Sequence, residues 1–321
     1  MQYETKLYRN CIKNNKKKTV NETSEIKQMM IKLVNLLTLI FLLSACSNTL
    51  WTSDIQLANS ISEPARLKSN TYKAGQFILH SRERYDKPGE DLSIYLEGDG
   101  LAWVSRTEPS RDPTPDNPIG LRLAALDKAP NVIWIARPCQ YTNVAENPLC
   151  KQYYWTIGRL SSEIIASVDL TITAAKLSAK ATKIHLIGYS GGGGLAILIA
   201  ARRNDVATIR TVAGNIDHEA FTSFHRVTPM SQSMDPATVA RSINTIPQWH
   251  FYGENDKVVP KLIGESYLRK AGLKGCTQIQ VITGVSHDRG WESHWLRLLQ
   301  ETSQDRINKS CYEDLRKLIN S

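Results

Sequence analysis

Seven short apolar runs punctuate the chain, separated by polar or helix-spaced stretches. Gln76–His80, Leu92–Leu96, Asn131–Ala136, Lys183–Ile187, Ile209–Val212, Gln248–Tyr252 and Gln278–Ile282 each have the length and the bounding turn residues of a strand. Between Thr156 and Leu177, Ile157, Leu160, Ile164, Val168 and Ile172 recur at helical spacing and predict the strongest helix. Strands alternating with helices from Gln76 onward predict an α/β domain with a mainly parallel sheet covered on both faces. There is no internal repeat and no low-complexity tract.

A different apolar pattern lies near the front. Met30-Ile31-Lys32 opens a stretch, Leu33 to Leu43, interrupted only by Asn35 and Thr38 and ending in Leu43-Ser44-Ala45-Cys46. A basic start, an apolar segment too short to span a bilayer and small residues before a break mark a secretory signal. Leu-Ser-Ala-Cys resembles a bacterial lipobox, which implies lipidation of Cys46 and anchoring of the chain to a bacterial membrane. Residues 30–45 are therefore expected to be a lipoprotein signal peptide. Residues 1–29, polar and with a Lys16-Lys17-Lys18 run, fit no signal and are expected to precede the true start at Met29 or Met30. Residues 46–70 are polar and poorly periodic and read as a tether, leaving 71–321 as the α/β domain.

Removing the leader changes the charge. Residues 1–46 hold eight basic and three acidic side chains, so the formal +9 of the whole chain falls to +4 beyond Cys46. That balance, with no basic motif interleaved with aromatics, gives no reason to expect a nucleic-acid partner.

The chemistry is concentrated at Gly188-Tyr189-Ser190-Gly191-Gly192, between the run ending at Ile187 and the small-residue stretch Gly193–Arg203 that reads as a helix. Strand, Gly-x-Ser-x-Gly, helix is the setting of a nucleophile elbow, with the serine on a strained turn. A serine hydroxyl needs a base, and the base an orienting carboxylate, in the chain order Ser, Asp or Glu, His. Asp256 follows the Gln248–Tyr252 run and His287 follows the Gln278–Ile282 run, both just beyond the carboxyl ends of strands. Glu254 competes for the acid role, and His218, His225 and His294 for that of the base. His185 and His250 fall within strands and are expected to be packed there. Oxyanion donors are expected from the Glu97-Gly98-Asp99-Gly100 loop, at the Asp99 amide or next at Gly100, and from the Gly191 amide.

These residues resemble the α/β-hydrolase superfamily of serine hydrolases over about residues 75 to 300, through the Gly-Tyr-Ser-Gly-Gly elbow, Gly253-x-x-Asp256-x-Val-Pro260 and the late Ser286-His287. The resemblance implies an α/β-hydrolase fold with a small cap insertion. It also implies a Ser190–His287–Asp256 triad acting on an acyl bond, most simply a carboxylic ester, with a small acyl substrate. The oxyanion loop departs from the His-Gly-Gly-Gly of lipases and esterases. Together with Arg137-Pro138-Cys139-Gln140-Tyr141 and Ala213-Gly214-Asn215-Ile216-Asp217-His218, that loop resembles uncharacterised bacterial hydrolase lipoproteins. No zinc-spaced Cys/His cluster or dinucleotide fingerprint occurs, so neither a metal nor an organic cofactor is expected. The rival class is a binding or scaffolding lipoprotein that keeps the fold without turnover; thioesterase and amidase chemistry are the rivals within enzymes.

Four cysteines remain once Cys11 in the leader and Cys46 are set aside: Cys139, Cys150, Cys276 and Cys311. An even number suits an exported chain. Of the three connectivities, Cys139–Cys150 with Cys276–Cys311 is the local one, and free thiols are the alternative. The expected location is the cell envelope, with the outer membrane favoured because Ser47, not Asp, follows Cys46. Residues 101–120 and 215–245 are insertions expected near the pocket. Phe221, Phe224, His225, Met230 and Met234 belong to the second, either as cap or as core contacts.

Overall fold

The structure, a computed structural model, describes Met30, residues 53–142, 145–272 and 276–303, and Cys311. The expected leader, nearly all of the signal segment and Cys46 lie outside these residues.

Eight strands form one sheet: β1 (Lys68–Ala74), β2 (Phe77–Tyr85), β3 (Leu92–Leu96), β4 (Asn131–Ile135), β5 (Ile184–Tyr189), β6 (Val206–Val212), β7 (Gln248–Gly253) and β8 (Thr277–Ile282). Their order across the sheet is β1-β2-β4-β3-β5-β6-β7-β8. The β1–β2 and β2–β4 pairs are antiparallel, and every later pair is parallel. The central β3 and β4 are buried along their whole length, as strands covered on both faces must be.

The described helices are α1 (residues 53–62), α2 (Ile119–Leu126), α3 (Ser162–Ala179), α4 (Gly191–Ala200), α5 (His218–His225), α6 (Leu262–Ala271) and α7 (Trp291–Glu301). Short 3₁₀ turns cover Gln152–Trp155 and Pro236–Ile243. Besides a small cluster of Tyr252, Val259 and Ile263, two large apolar cores result among the described residues. One joins Ile94, Ile133 and Leu186 of the sheet to Ile164 and Ile172 of α3 and to Leu195 and Leu198 of α4. The other joins Tyr95, Trp134 and Phe251 to Ala58 of α1, Leu121 of α2 and Trp291 and Trp295 of α7.

Two expectations need correction. Residues 53–70 are not tether: α1 buries Ala58, Leu67 is buried, and β1 begins at Lys68. β1 is an edge strand whose side chains are almost all exposed, held by backbone pairing to β2, so it carries no apolar pattern to read. The strongest helix starts at Ser162, not Thr156. A Cβ at Gly158 would strike the Tyr153 ring and Ser161 is extended, so the chain turns there and leaves Ile157 exposed.

Both local disulfides are present, Cys139–Cys150 and Cys276–Cys311. Among the described residues no helix is long and apolar enough to cross a membrane.

Candidate active site

β5 delivers Ser190 to the carboxyl edge of the sheet, and α4 starts at the next residue. Ser190 has φ 49° and ψ −119°, a conformation that a side-chain-bearing residue adopts only when its surroundings enforce it. Its amide donates to Val212 O at 2.9 Å, and its carbonyl accepts from Gly193 N and Asn215 N, both at 3.0 Å. A Cβ on Gly188 would run into the backbone of Gly192, and one on Gly192 into the carbonyl of Leu96. Those contacts explain the glycines on either side of the serine.

The β7 and β8 loops bring in the other two groups. His287 Nε2 lies 3.1 Å from Ser190 Oγ, and His287 Nδ1 lies 2.9 Å from Asp256 Oδ2. Asp256 Oδ1 accepts from the amides of Val258 and Val259, both at 2.8 Å, so the carboxylate cannot turn. The Asp256 side chain is fully buried, whereas that of His287 is 16% exposed and faces the cavity. The His287 carbonyl is pinned by Trp291 Nε1 at 2.9 Å and the Tyr189 hydroxyl at 3.2 Å. In this geometry Nδ1–H donates to the carboxylate and Nε2 is free to accept the serine proton.

The competing residues other than His218 are engaged elsewhere. Glu254 accepts from Gly284 N, His225 Nε2 meets Val258 O, and His294 Nδ1 meets Arg297. His185 contacts Thr208, and His250 contacts Thr211 inside the sheet. His218 is buried near Asp235, Arg159 and Asp99, and its ring is pushed down to about 4, chiefly by burial.

The Glu97–Gly100 loop runs beside the start of α4. The Gly98 amide is spent on Glu97 Oε1 at 2.9 Å, whereas the Asp99 and Gly191 amides reach no protein acceptor among the described residues. The Asp99 carboxylate lies over the Cα of Gly191. It is held by Arg137 Nη1 at 2.9 Å and Arg159 Nη1 at 2.7 Å, and Arg137 also donates to the Arg159 carbonyl. Burial opposes the Asp99 charge, but the Arg159 and Arg137 guanidiniums outweigh it and hold the carboxyl below the usual range. Gly100 lines the cavity with φ +64°.

Sequence reasoning missed Arg159, Asn215 and Glu97. Glu97 accepts from Gly98 N, Gly120 N, Leu121 N and Trp134 Nε1, which ties the end of β3 to the start of α2. Burial pushes its carboxyl up against the pull of those four donors. Its place in the Glu-Gly-Asp-Gly loop was the available signal. Nothing in the local sequence marks Arg159, which comes from a turn 60 residues beyond its partner. Among the described residues no group of three or more His, Cys, Asp or Glu could hold a metal ion.

Ser190 opens into a cavity of about 400 Å³. Arg159, Asn215 and Asp116 line its polar side, and Leu101, Trp103, Phe221 and Val258 its apolar side. Phe221 belongs to α5, so the 215–245 insertion does contribute to the wall; Met230 is buried, while Phe224 and Met234 are exposed.

A sheet of this order, with the elbow after β5 and the two loop residues after β7 and β8, is the α/β-hydrolase fold, and the chain has that fold. Solved structures agree. A protein of Acinetobacter baumannii provisionally classed as a lipase superposes with TM-score 0.53 at 15% identity, over 77% of this chain and 93% of that one. An esterase of Pyrococcus furiosus gives 0.51 at 12% identity, over 74% and 92%. A puromycin hydrolase gives 0.52 at 14% identity over 73% of this chain, which spans only 38% of that enzyme. No protein-family model matches the sequence, and no curated protein sequence is similar to it.

Proposed function

We propose that the protein is a lipid-anchored serine hydrolase of the bacterial cell envelope that cleaves an acyl bond, a carboxylic ester first among them. The observation that carries this reading is the continuous contact from Ser190 Oγ through the His287 ring to the buried Asp256 carboxylate. Ser190 attacks the acyl carbonyl while His287 Nε2 takes its proton. Asp256 keeps the proton on Nδ1 and stabilises the imidazolium. The Asp99 and Gly191 amides, otherwise unspent, receive the oxyanion, and the net positive charge of the Arg137–Asp99–Arg159 cluster favours the negative charge that develops there. His287 returns its proton to the leaving group, and water clears the acyl-enzyme by the same route. The esterase fold neighbours and the lipobox-like Cys46 support the bond type and the anchoring, respectively.

Labelling of the full chain with a fluorophosphonate, followed by peptide mapping, tests the reading. An adduct on Ser190 that disappears in His287→Ala is expected. A folded, disulfide-intact protein that takes up no label would leave a binding or scaffolding lipoprotein as the better account.

A further inference from the structure

Exposed apolar side chains lie at the cavity and next to it. Leu101 and Trp103, which line it, are 38% and 37% exposed, and the next residue, Val104, is 54% exposed. On the α5 side, Val258 is 46% exposed, Phe224 46% and Val227 43%. Val227 follows α5 by two residues, and Phe224 is joined to Phe221 and Val258: the rings of Phe221 and Phe224 both pack on His225, whose Nε2 meets Val258 O at 2.7 Å. Large apolar side chains gathered at one opening mark an interaction surface.

The course of α1 indicates what covers it. The turn after α1 meets the far end of β2: the Ala65 carbonyl accepts from Arg84, and Arg66 pairs with Asp86. That end of β2 lies beside Asn131, the first residue of β4, at the edge of the sheet away from the site. Midway, Asn59 meets Arg82. α1 therefore starts at the edge that carries Ser190, and consistent with this the Asp54 charge is felt by Tyr141, in the loop after β4. Eight Cα-to-Cα steps, through seven intervening residues, separate Cys46 from Asp54. At about 3.5 Å each they reach at most roughly 28 Å, less than the width of a domain this size, about 45 Å from its expected radius of gyration.

We infer that the apolar rim formed by Leu101, Trp103, Val104, Phe224, Val227 and Val258 docks on the surface of the phospholipid bilayer, so that the cavity takes an amphiphilic ester from the membrane. The inference rests on the hydrolase and anchoring readings above. A short tether leaving from the site edge turns that edge toward the lipid surface. A tryptophan and branched apolar side chains around the opening suit the headgroup boundary.

The test uses the full chain on vesicles of phosphatidylethanolamine and phosphatidylglycerol, with and without brominated acyl chains. Brominated lipid should quench a component of the tryptophan emission that is missing in Trp103→Phe, which keeps the rim apolar. The triple variant Val104→Ser, Phe224→Ser, Val227→Ser should lose about tenfold in turnover of a long-chain ester carried in the vesicles, with hydrolysis of soluble 4-nitrophenyl acetate unchanged. Equal quenching of wild type and Trp103→Phe, or no association with vesicles, overturns the inference. So does a dimer that the triple variant dissociates without any Trp103 quenching, because the rim would then face a second copy. Failure of wild type to hydrolyse 4-nitrophenyl acetate or take up fluorophosphonate would instead strike the hydrolase reading, and the quenching would still decide docking.

Discussion

The carboxylate of Asp99 rests on the Cα of Gly191, so close that any Cβ at Gly191 would collide with it. Both residues carry amides proposed above to receive the oxyanion, and the contact sets the spacing of that pair. Asp99 cannot swing away at little cost, because two arginines grip its oxygens. Gly191→Ala should therefore spread the amides and lower kcat roughly 100-fold, the scale of losing one oxyanion donor, with a smaller change in KM. Steady-state kinetics on a 4-nitrophenyl ester gives both numbers. A variant as active as wild type would remove Gly191 from the oxyanion site.

The Asp99 cluster also makes a prediction about stability. The Arg137 side chain is only 6% exposed, and removing it leaves a buried carboxylate with one partner. Breaking a buried pair from one side costs about 3–5 kcal/mol, so Arg137→Met should unfold at markedly lower urea concentration. Asp99→Asn added to Arg137→Met should recover a large part of that loss, since the neutral amide no longer needs the second cation. A double-mutant cycle measured by urea unfolding checks this, and strict additivity would mean the two side chains do not depend on each other.

What the sequence made legible follows from where side-chain chemistry is forced. β3, β4, β5 and β7 lie deep in the sheet and keep apolar runs that mark them within a residue or two. Ser190, Asp256 and His287 stand at fixed points after strands, and the structure brings them into contact from positions up to 97 residues apart. β1 escaped because an edge strand can be held by backbone bonds while its side chains stay polar. Arg159 escaped for another reason. A buried cation is specified by its partner across the fold, and no local pattern around residue 159 announces Asp99.

Asp256 offers a test of orientation rather than charge. Its Oδ1 is fixed by the Val258 and Val259 amides, so in Asp256→Asn the amide oxygen should keep those two bonds and the NH2 should face His287. That NH2 can only donate, which drives the imidazole to carry its proton on Nε2, where it cannot accept from Ser190. kcat should fall roughly ten-thousandfold with the unfolding midpoint nearly unchanged. A loss of activity matched by a loss of folding would contradict this account.

Histidines lowered by burial should make the fold sensitive to acid, His250 and His218 foremost. Burial pushes His250 down to about 3 and, as its largest influence, His218 down to about 4. His250 Nδ1 meets the Thr211 hydroxyl at 2.8 Å, and its Nε2 is buried with no partner to receive a second proton's charge. An unfolded histidine titrates near 6.5, so below that pH the unfolded chain binds protons that the native state refuses. The neutral rings therefore cost nothing above about pH 6.5, and stability is lost progressively as the pH falls from there toward 3–4. Between pH 7 and 5 each ring should remove about 2 kcal/mol. Urea unfolding at the two pH values measures these losses together with those of His80 and His185, which burial also pushes down. His250→Gln, which can still bond Thr211, should shrink the difference between pH 7 and pH 5 by about 2 kcal/mol whatever it does to stability at pH 7. An unaltered difference between pH 7 and pH 5 in that variant would show that His250 takes up a proton in the folded state as readily as in the unfolded one.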